Sequence, residues 1–177
     1  MNPPLFICIV GAESTGKTTL AQTLAATFDC PWVPEYLREF CESRGRTPTQ
    51  NEQSLILETQ LIDEMASALS ASLVHRPYVF CDTAPLLTAI YSDFVFNDDT
   101  LYPRARALHS RYALTLLLAP DIAWAADGMQ RDGAHVRAPI THLIERELAA
   151  INAPTVRISG QGAARMQAAT EVIRGIG

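Results

Sequence analysis

Residues 11–18 read Gly-Ala-Glu-Ser-Thr-Gly-Lys-Thr: a glycine, four spacers, then Gly-Lys-Thr. Those types at that spacing suit a loop that wraps phosphate oxygens. Gly11 and Gly16 let the backbone turn where a Cβ would obstruct it. The amides of Glu13, Ser14, Thr15 and Gly16 then face the anion. Those of Lys17, Thr18 and Thr19 add the positive end of a helix. Lys17 neutralises charge on the β- and γ-phosphates, and the Thr18 hydroxyl ligates Mg²⁺. A chance match in a chain this long arises on the order of 1% of the time. The alternative is a glycine-rich turn with no ligand. The strand-like run before the motif and the helical pattern after it favour phosphate.

A second element is Tyr78-Val-Phe-Cys-Asp82. An aspartate ending a parallel strand beside such a loop can hold Mg²⁺ through its water shell. Asp82 or Thr83 would serve equally well as a helix N-cap. Phosphoryl transfer to an alcohol needs three more things: a base, a cation on the moving phosphoryl group, and a lid against water. Glu35, in Val-Pro-Glu-Tyr-Leu-Arg-Glu-Phe at 33–40, is the candidate base. Arg38, one helical turn on, would hold the acceptor. The bland alternative is a solvated Glu/Arg pair worth a few tenths of a kcal/mol. Arg131 and Arg137 lie in a long polar segment, 121–138, that reads as the lid. One of them would clamp the γ-phosphoryl, unless both are simply solvated. Trp124 in that segment either stacks on an aromatic base or pins the lid to the core.

These residues need a scaffold, and the chain supplies one. Strand-like runs at Leu5–Val10, 31–34, Tyr78–Asp82, 114–119 and Thr155–Ile158 alternate with helical patterns. The latter cover Lys17–Phe28, 84–94, 103–112, 139–151 and 161–173. A capping box at Thr49–Glu52 opens a long amphipathic helix whose apolar face is read as Leu55, Ile62, Met65, Leu69 and Leu73. Alternation of this kind predicts one α/β domain over residues 1–177, a three-layer sandwich with a parallel sheet.

At 177 residues, 48% hydrophobic and 19% charged, the chain reads as an ordinary globular domain. Its net charge of −5 gives no electrostatic case for nucleic acid. Cys8, Cys30, Cys41 and Cys81 form no CxxC pair and read as reduced thiols. The four histidines share no metal spacing. No run approaches the roughly 20 apolar residues of a membrane span. The chain is therefore expected to be cytoplasmic. The guanine-reading N-K-x-D motif of GTPases is absent.

Five segments together resemble the ribosylnicotinamide-kinase domain of NadR-type proteins. They are GAESTGKTTL at 11–20, VPEYLREF at 33–40, CDTAPLLTAIYSDFVF at 81–96, DIAWAADGMQRDG at 121–133 and ISGQGAAR at 158–165. The resemblance implies a P-loop kinase sheet of order 2-3-1-4-5. It implies ATP and Mg²⁺ as cofactors and 5′-phosphorylation of nicotinamide riboside. Lys17 and Thr18 would serve the phosphates and Mg²⁺, and Asp82 the metal or ribose edge. Glu35, Tyr36, Arg38 and Trp124 would face the nucleoside, with Gly160–Arg165 near the adenine. The family's lid reads D-G-x-R, whereas Asp127-Gly128-Met129-Gln130-Arg131 is one residue longer. The family's DNA-binding and adenylyltransferase domains find no counterpart in these residues, which would make this a stand-alone kinase. Two other roles fit the same motifs: an ATP-binding sensor module with little turnover, and a kinase of another nucleoside or small alcohol.

Overall fold

The computed structural model describes residues 3–125 and 133–176. Leu5–Val10 (β1), Trp32–Val33 (β2), Tyr78–Asp82 (β3), Tyr112–Leu118 (β4) and Thr155–Ile158 (β5) form one sheet of order β2-β3-β1-β4-β5. All four pairings are parallel, with Cys8 level with Cys81 and Ile9 with Leu116. The predicted α/β sandwich and its strand order are both present.

Seven α-helices connect the strands among the described residues: Lys17–Phe28 (α1), Tyr36–Arg44 (α2), Gln53–Leu73 (α3), Pro85–Phe96 (α4), Tyr102–His109 (α5), Arg137–Ala150 (α6) and Gly162–Arg174 (α7). A strand that alternates sides while apolar throughout must be covered on both faces. On one face Ile7, Ile9, Phe80, Leu114 and Leu116 pack with Leu20 and Leu24 of α1 and Ile173 of α7. On the other, Cys8, Val79, Cys81 and Leu117 pack with Leu57 of α3, Ile90 of α4 and Ile140 and Ile144 of α6. Each layer therefore follows from period-2 burial in the strands and period-3.6 burial in the helices.

Several expectations are corrected. The second strand shrinks to Trp32–Val33, because Pro31 and Pro34 bracket it and neither can donate to the ladder. The helix expected over 103–112 stops at His109, and Tyr112 instead begins β4. The capping box at Thr49 forms, but it opens a short 3₁₀ turn at Gln50–Glu52 that runs on into α3. The largest revision concerns α3 itself. The apolar stripe expected to face the core is outside: Leu55 is 47% exposed, Ile62 64%, Met65 53%, Leu69 66% and Leu73 74%. Ile56, Leu57, Gln60, Glu64 and Ala71 face inward. The inward polar pair is satisfied there, so periodicity alone chose the wrong face.

All four cysteines are buried free thiols. Burial pushes the Cys8 thiol up to about 12. No helix among the described residues is long and apolar enough to cross a membrane.

Candidate active site

β1 is central, and the chain leaves its carboxyl end straight into the Gly11–Gly16 loop, with α1 starting at Lys17. Gly11 is required sterically: a Cβ there would sit 2.7 Å from Thr15 Oγ1 and 3.3 Å from Leu118. Gly16 has φ 82°, in the left-handed region that glycine occupies without cost. Thr15 is fully buried and donates its hydroxyl to the Ala12 carbonyl at 2.8 Å, bracing the loop from inside. Lys17 Nζ folds over the loop onto the Gly11 and Ala12 carbonyls, at 3.2 and 3.3 Å. The expected cradle is thus assembled from one strand, one loop and one helix N-terminus.

The strand order decides what stands beside it. β3 neighbours β1, so Asp82 arrives at the same edge of the sheet. Its buried carboxylate accepts a hydrogen bond from the Thr18 hydroxyl at 2.5 Å. A hydroxyl and a carboxylate converging beside a phosphate loop are the donor set that fits Mg²⁺. Neither Asp82 nor Thr83 caps the next helix. The N-cap of α4 is Ala84, whose side chain offers nothing, and Pro85 starts the helix.

Thr83, read from the sequence only as a candidate helix cap, has a different character in the structure. It has φ 82°, a conformation strongly disfavoured for a β-branched side chain. It is 4% exposed, and its hydroxyl has no hydrogen-bond partner among the described residues. Its amide donates to the Ile9 carbonyl at 3.0 Å. Strain and an unsatisfied hydroxyl coincide where β3 opens toward the phosphate loop. Nothing in the sequence signals a positive φ at a threonine.

β2 lies beyond β3, so Glu35 and α2 flank the same edge from the far side. Glu35 is the N-cap of α2, and its carboxylate pairs with Arg38 at 3.5 Å. The Glu35 side chain is 11% exposed and that of Arg38 40%. The Tyr36 amide donates to Gln60 Oε1 at 2.9 Å. Gln60 in turn donates to Glu64, which also accepts from Arg111 and Tyr112. Burial pushes the Glu64 carboxyl up, while Arg111 pulls it back. This inward polar chain anchors the start of α2 to α3, and reading the apolar stripe of α3 as its core face hid it.

On the opposite flank, residues 121–125 run beside the loop. The Ala125 amide donates to Ser14 Oγ at 2.9 Å, which brings partly buried Trp124 close to the phosphate loop. Arg137, the first residue of α6, donates to the Ile122 carbonyl at 2.9 Å and to the Ser14 carbonyl at 3.4 Å. Arg131, Asp127 and Gly128 lie outside the described residues. Arg165 is 5% exposed and acts as a hub. It donates to the backbone carbonyls of Thr15, Ala119 and Gly160 and pairs with Asp121. The Gly160 amide, then Arg165, hold the Asp121 carboxyl below its ordinary range. A cleft of about 390 Å³ opens here, lined by Gly16, Thr19, Ile122, Gln161, Gly162 and Met166. Arg165 also lines this cleft, with four of its five guanidinium N–H groups engaged by Gly160, Thr15, Ala119 and Asp121. The cleft has the size and apolar walls of a small-ligand site.

The family of proteins described as an AAA domain matches residues 6–165, which spans the phosphate loop, both carboxylates and the Arg165 hub. The chain belongs to that family. No curated protein matches it. As a fold, the AAA domain is similar to NadR solved in complex with NR, at TM-score 0.83 and 20% identity over 98% of this chain and 50% of that one. NadR solved with NAD and AMP-PNP gives TM-score 0.82 at 21% identity, over 98% and 49%. The chain spans about half the length of those NadR chains. Thymidylate kinase from Ehrlichia chaffeensis aligns at TM-score 0.66 and 14% identity, over 99% and 100%. Deoxyadenosine kinase from M. mycoides with dCTP aligns at 0.59 and 11%, over 97% and 100%. The NadR-type P-loop kinase fold expected from the sequence is therefore the fold of this AAA domain.

Proposed function

We propose that this AAA domain is an ATP- and Mg²⁺-dependent kinase of a small nucleoside, and that nicotinamide riboside is its acceptor. The observation that carries the reading is the order of the sheet edge. Glu35 after β2, Asp82 at the end of β3 and the phosphate loop after β1 stand side by side, in the sequence acceptor, metal, donor. ATP would place its phosphates on the Gly11–Gly16 loop and its base in the cleft at Ile122 and Gln161. Mg²⁺, held by Thr18 and Asp82, supplies charge neutralisation of the phosphates when bound.

Glu35 would accept the proton of the acceptor 5′-hydroxyl. The oxygen then bonds to the γ-phosphorus as the bridging P–O bond breaks, leaving ADP and the 5′-phosphate ester. Lys17 would follow the charge on the β- and γ-oxygens, and Arg137 or Arg131 would cover the moving group. Arg137 is already beside Ser14. Trp124 and Tyr36 would flank the nicotinamide ring, a flat cation suited to an indole face, with attraction of about 0.5–2 kcal/mol. NadR with NR and NadR with AMP-PNP share this fold, which supports the same pair of substrates here.

The test is a phosphoryl-acceptor panel of nicotinamide riboside, adenosine, uridine and thymidine with Mg-ATP. The expected result is a kcat/KM for nicotinamide riboside at least about tenfold above the others, a difference of roughly 1.4 kcal/mol in transition-state binding. Preference for another nucleoside would keep the kinase reading and change the acceptor. ATP binding with no acceptor turned over would overturn the kinase in favour of a sensor module.

A further inference from the structure

We propose that Gln161 makes the cleft beside the phosphate loop selective for adenine over guanine nucleotides, its carboxamide oxygen accepting from the 6-amino group of the base. This selectivity rests on the kinase reading above, which seats the nucleotide base in that cleft. The two purines share a ring shape and differ at C6, where adenine carries an amino donor and guanine an oxo acceptor. An apolar slot holds both, so Ile122, Ala163 and Met166 along the walls do not choose between them. Choice needs a polar group whose donor or acceptor character is fixed.

Gln161 is such a group. It is the N-cap residue of α7, and it lines the cleft. A loose carboxamide presents either end, an oxygen that accepts or an NH₂ that donates. Here the NH₂ end is committed: Nε2 donates to the Asp121 carbonyl at 3.0 Å. Turning the amide over would set two acceptor oxygens against each other, so Nε2 stays on Asp121 and Oε1 is the end offered to a ligand. Asp121 is itself pinned. The Gly160 amide donates to one carboxylate oxygen at 2.7 Å, and Arg165, 5% exposed, pairs with the other.

The other polar groups lining the cleft do not discriminate. The hydroxyls of Thr19 and Thr23 each donate or accept. Among the described residues Arg165 keeps one N–H unengaged, on Nη1. A Cβ at Gly16 would lie 3.7 Å from that nitrogen, which puts it at the phosphate end. The first-turn amides of α7, which no described side chain caps, serve ring nitrogens that both purines carry. Gln161 therefore decides at C6. The amino group of adenine donates to Oε1, whereas the oxo group of guanine would meet it oxygen to oxygen, with neither acceptor satisfied.

The test is calorimetric binding of Mg-ATP, Mg-GTP and Mg-ITP to the purified chain, with no acceptor present, so the identity of the acceptor does not enter. ITP carries the 6-oxo group of guanine without its 2-amino group. The expected result is that GTP and ITP both bind at least about tenfold more weakly than ATP. In Gln161→Ala the three should bind within about threefold of one another. In Gln161→Lys, which puts a donor in place of the acceptor, GTP and ITP should equal or exceed ATP. The ratio is the readout, so a general loss of affinity in a variant cancels. ITP binding the unaltered chain as tightly as ATP would move the discrimination to the 2-amino group and overturn the proposal. An ATP preference that survives Gln161→Ala overturns it too. Equal binding of all three to the unaltered chain overturns it while leaving the kinase reading in place. Binding of none of them removes the kinase reading as well.

Discussion

Lys17 rests on its own loop's carbonyls, bonds it would exchange for phosphate oxygens. Lys17→Ala should lower ATP turnover by well over tenfold, more than about 1.4 kcal/mol, with circular dichroism unchanged. A folded variant keeping more than a tenth of the activity would remove the phosphate loop from the chemistry. Glu35 is argued to touch the acceptor and not the nucleotide. Glu35→Gln should therefore lower kcat by about 10²–10⁴ with the KM for ATP nearly constant. A change confined to the KM for ATP would move the base elsewhere, to Asp82 first. Thr83 allows a sharper separation. Its positive φ stores about 1–3 kcal/mol of strain, and glycine gives back part of that relief through unfolded-chain entropy. Thr83→Gly should raise unfolding stability by about 1 kcal/mol while lowering kcat/KM. A variant both more stable and fully active would mean the strain serves no purpose at the site.

The elements show where sequence is a sufficient guide and where it is not. The phosphate loop was legible because its requirements sit within eight consecutive residues: glycines at the two ends of the turn, then lysine and threonine where the helix starts. β1, β3 and α1 were legible to the residue for the same reason, each closed by its own stop signal. α3 was not. A stripe of five large apolar residues outweighs a polar Gln60 and Glu64 in any count of periodicity. Yet the polar pair is inside, satisfied by Tyr36, Arg111 and Tyr112 from distant parts of the chain. The hub at Arg165 was hidden likewise. Its acceptors at Thr15 and Ala119 come together only once the sheet has formed. The inward chain makes its own prediction. Gln60→Leu would leave the Tyr36 amide without its partner and take one of several donors from the buried Glu64 carboxylate, at a cost of about 1–3 kcal/mol. Because α2 carries Glu35, kcat should drop about tenfold at constant KM for ATP. Loss of stability with kcat intact would confine Gln60 to the fold.

For the molecule as a whole, acid is the informative stress. His109 is 2% exposed, its Nε2 2.9 Å from the Thr115 hydroxyl. Burial and then Arg111 push its pKa down to about 4. A histidine held below its unfolded value near 6.5 favours the fold fully above that pH. The contribution is lost as pH falls toward 4, because only the unfolded chain takes up the proton. Denaturant titrations at pH 7.5 and 5 should differ by about 2 kcal/mol through this group. Glu64, raised by burial, acts in the opposite sense at lower pH. Comparison with His109→Gln isolates the histidine, since that slope should vanish in the variant. An unchanged slope would assign the acid sensitivity to the carboxylates.

The strand order also governs how the chain comes into being. β1 is made first, yet its neighbours are β3 and β4, with Leu5 level with Tyr78 and Ile7 with Leu114. No hairpin can form on the way, since every pairing is parallel. At roughly 5–20 residues per second, the segment Leu-Phe-Ile-Cys-Ile-Val waits some seconds after synthesis for its first partner strand. During that interval the apolar strand that will carry the phosphate loop has both edges open. The order that sets donor, metal and acceptor side by side thus leaves the nascent chain dependent on long-range closure, and exposed to self-association until β3 arrives.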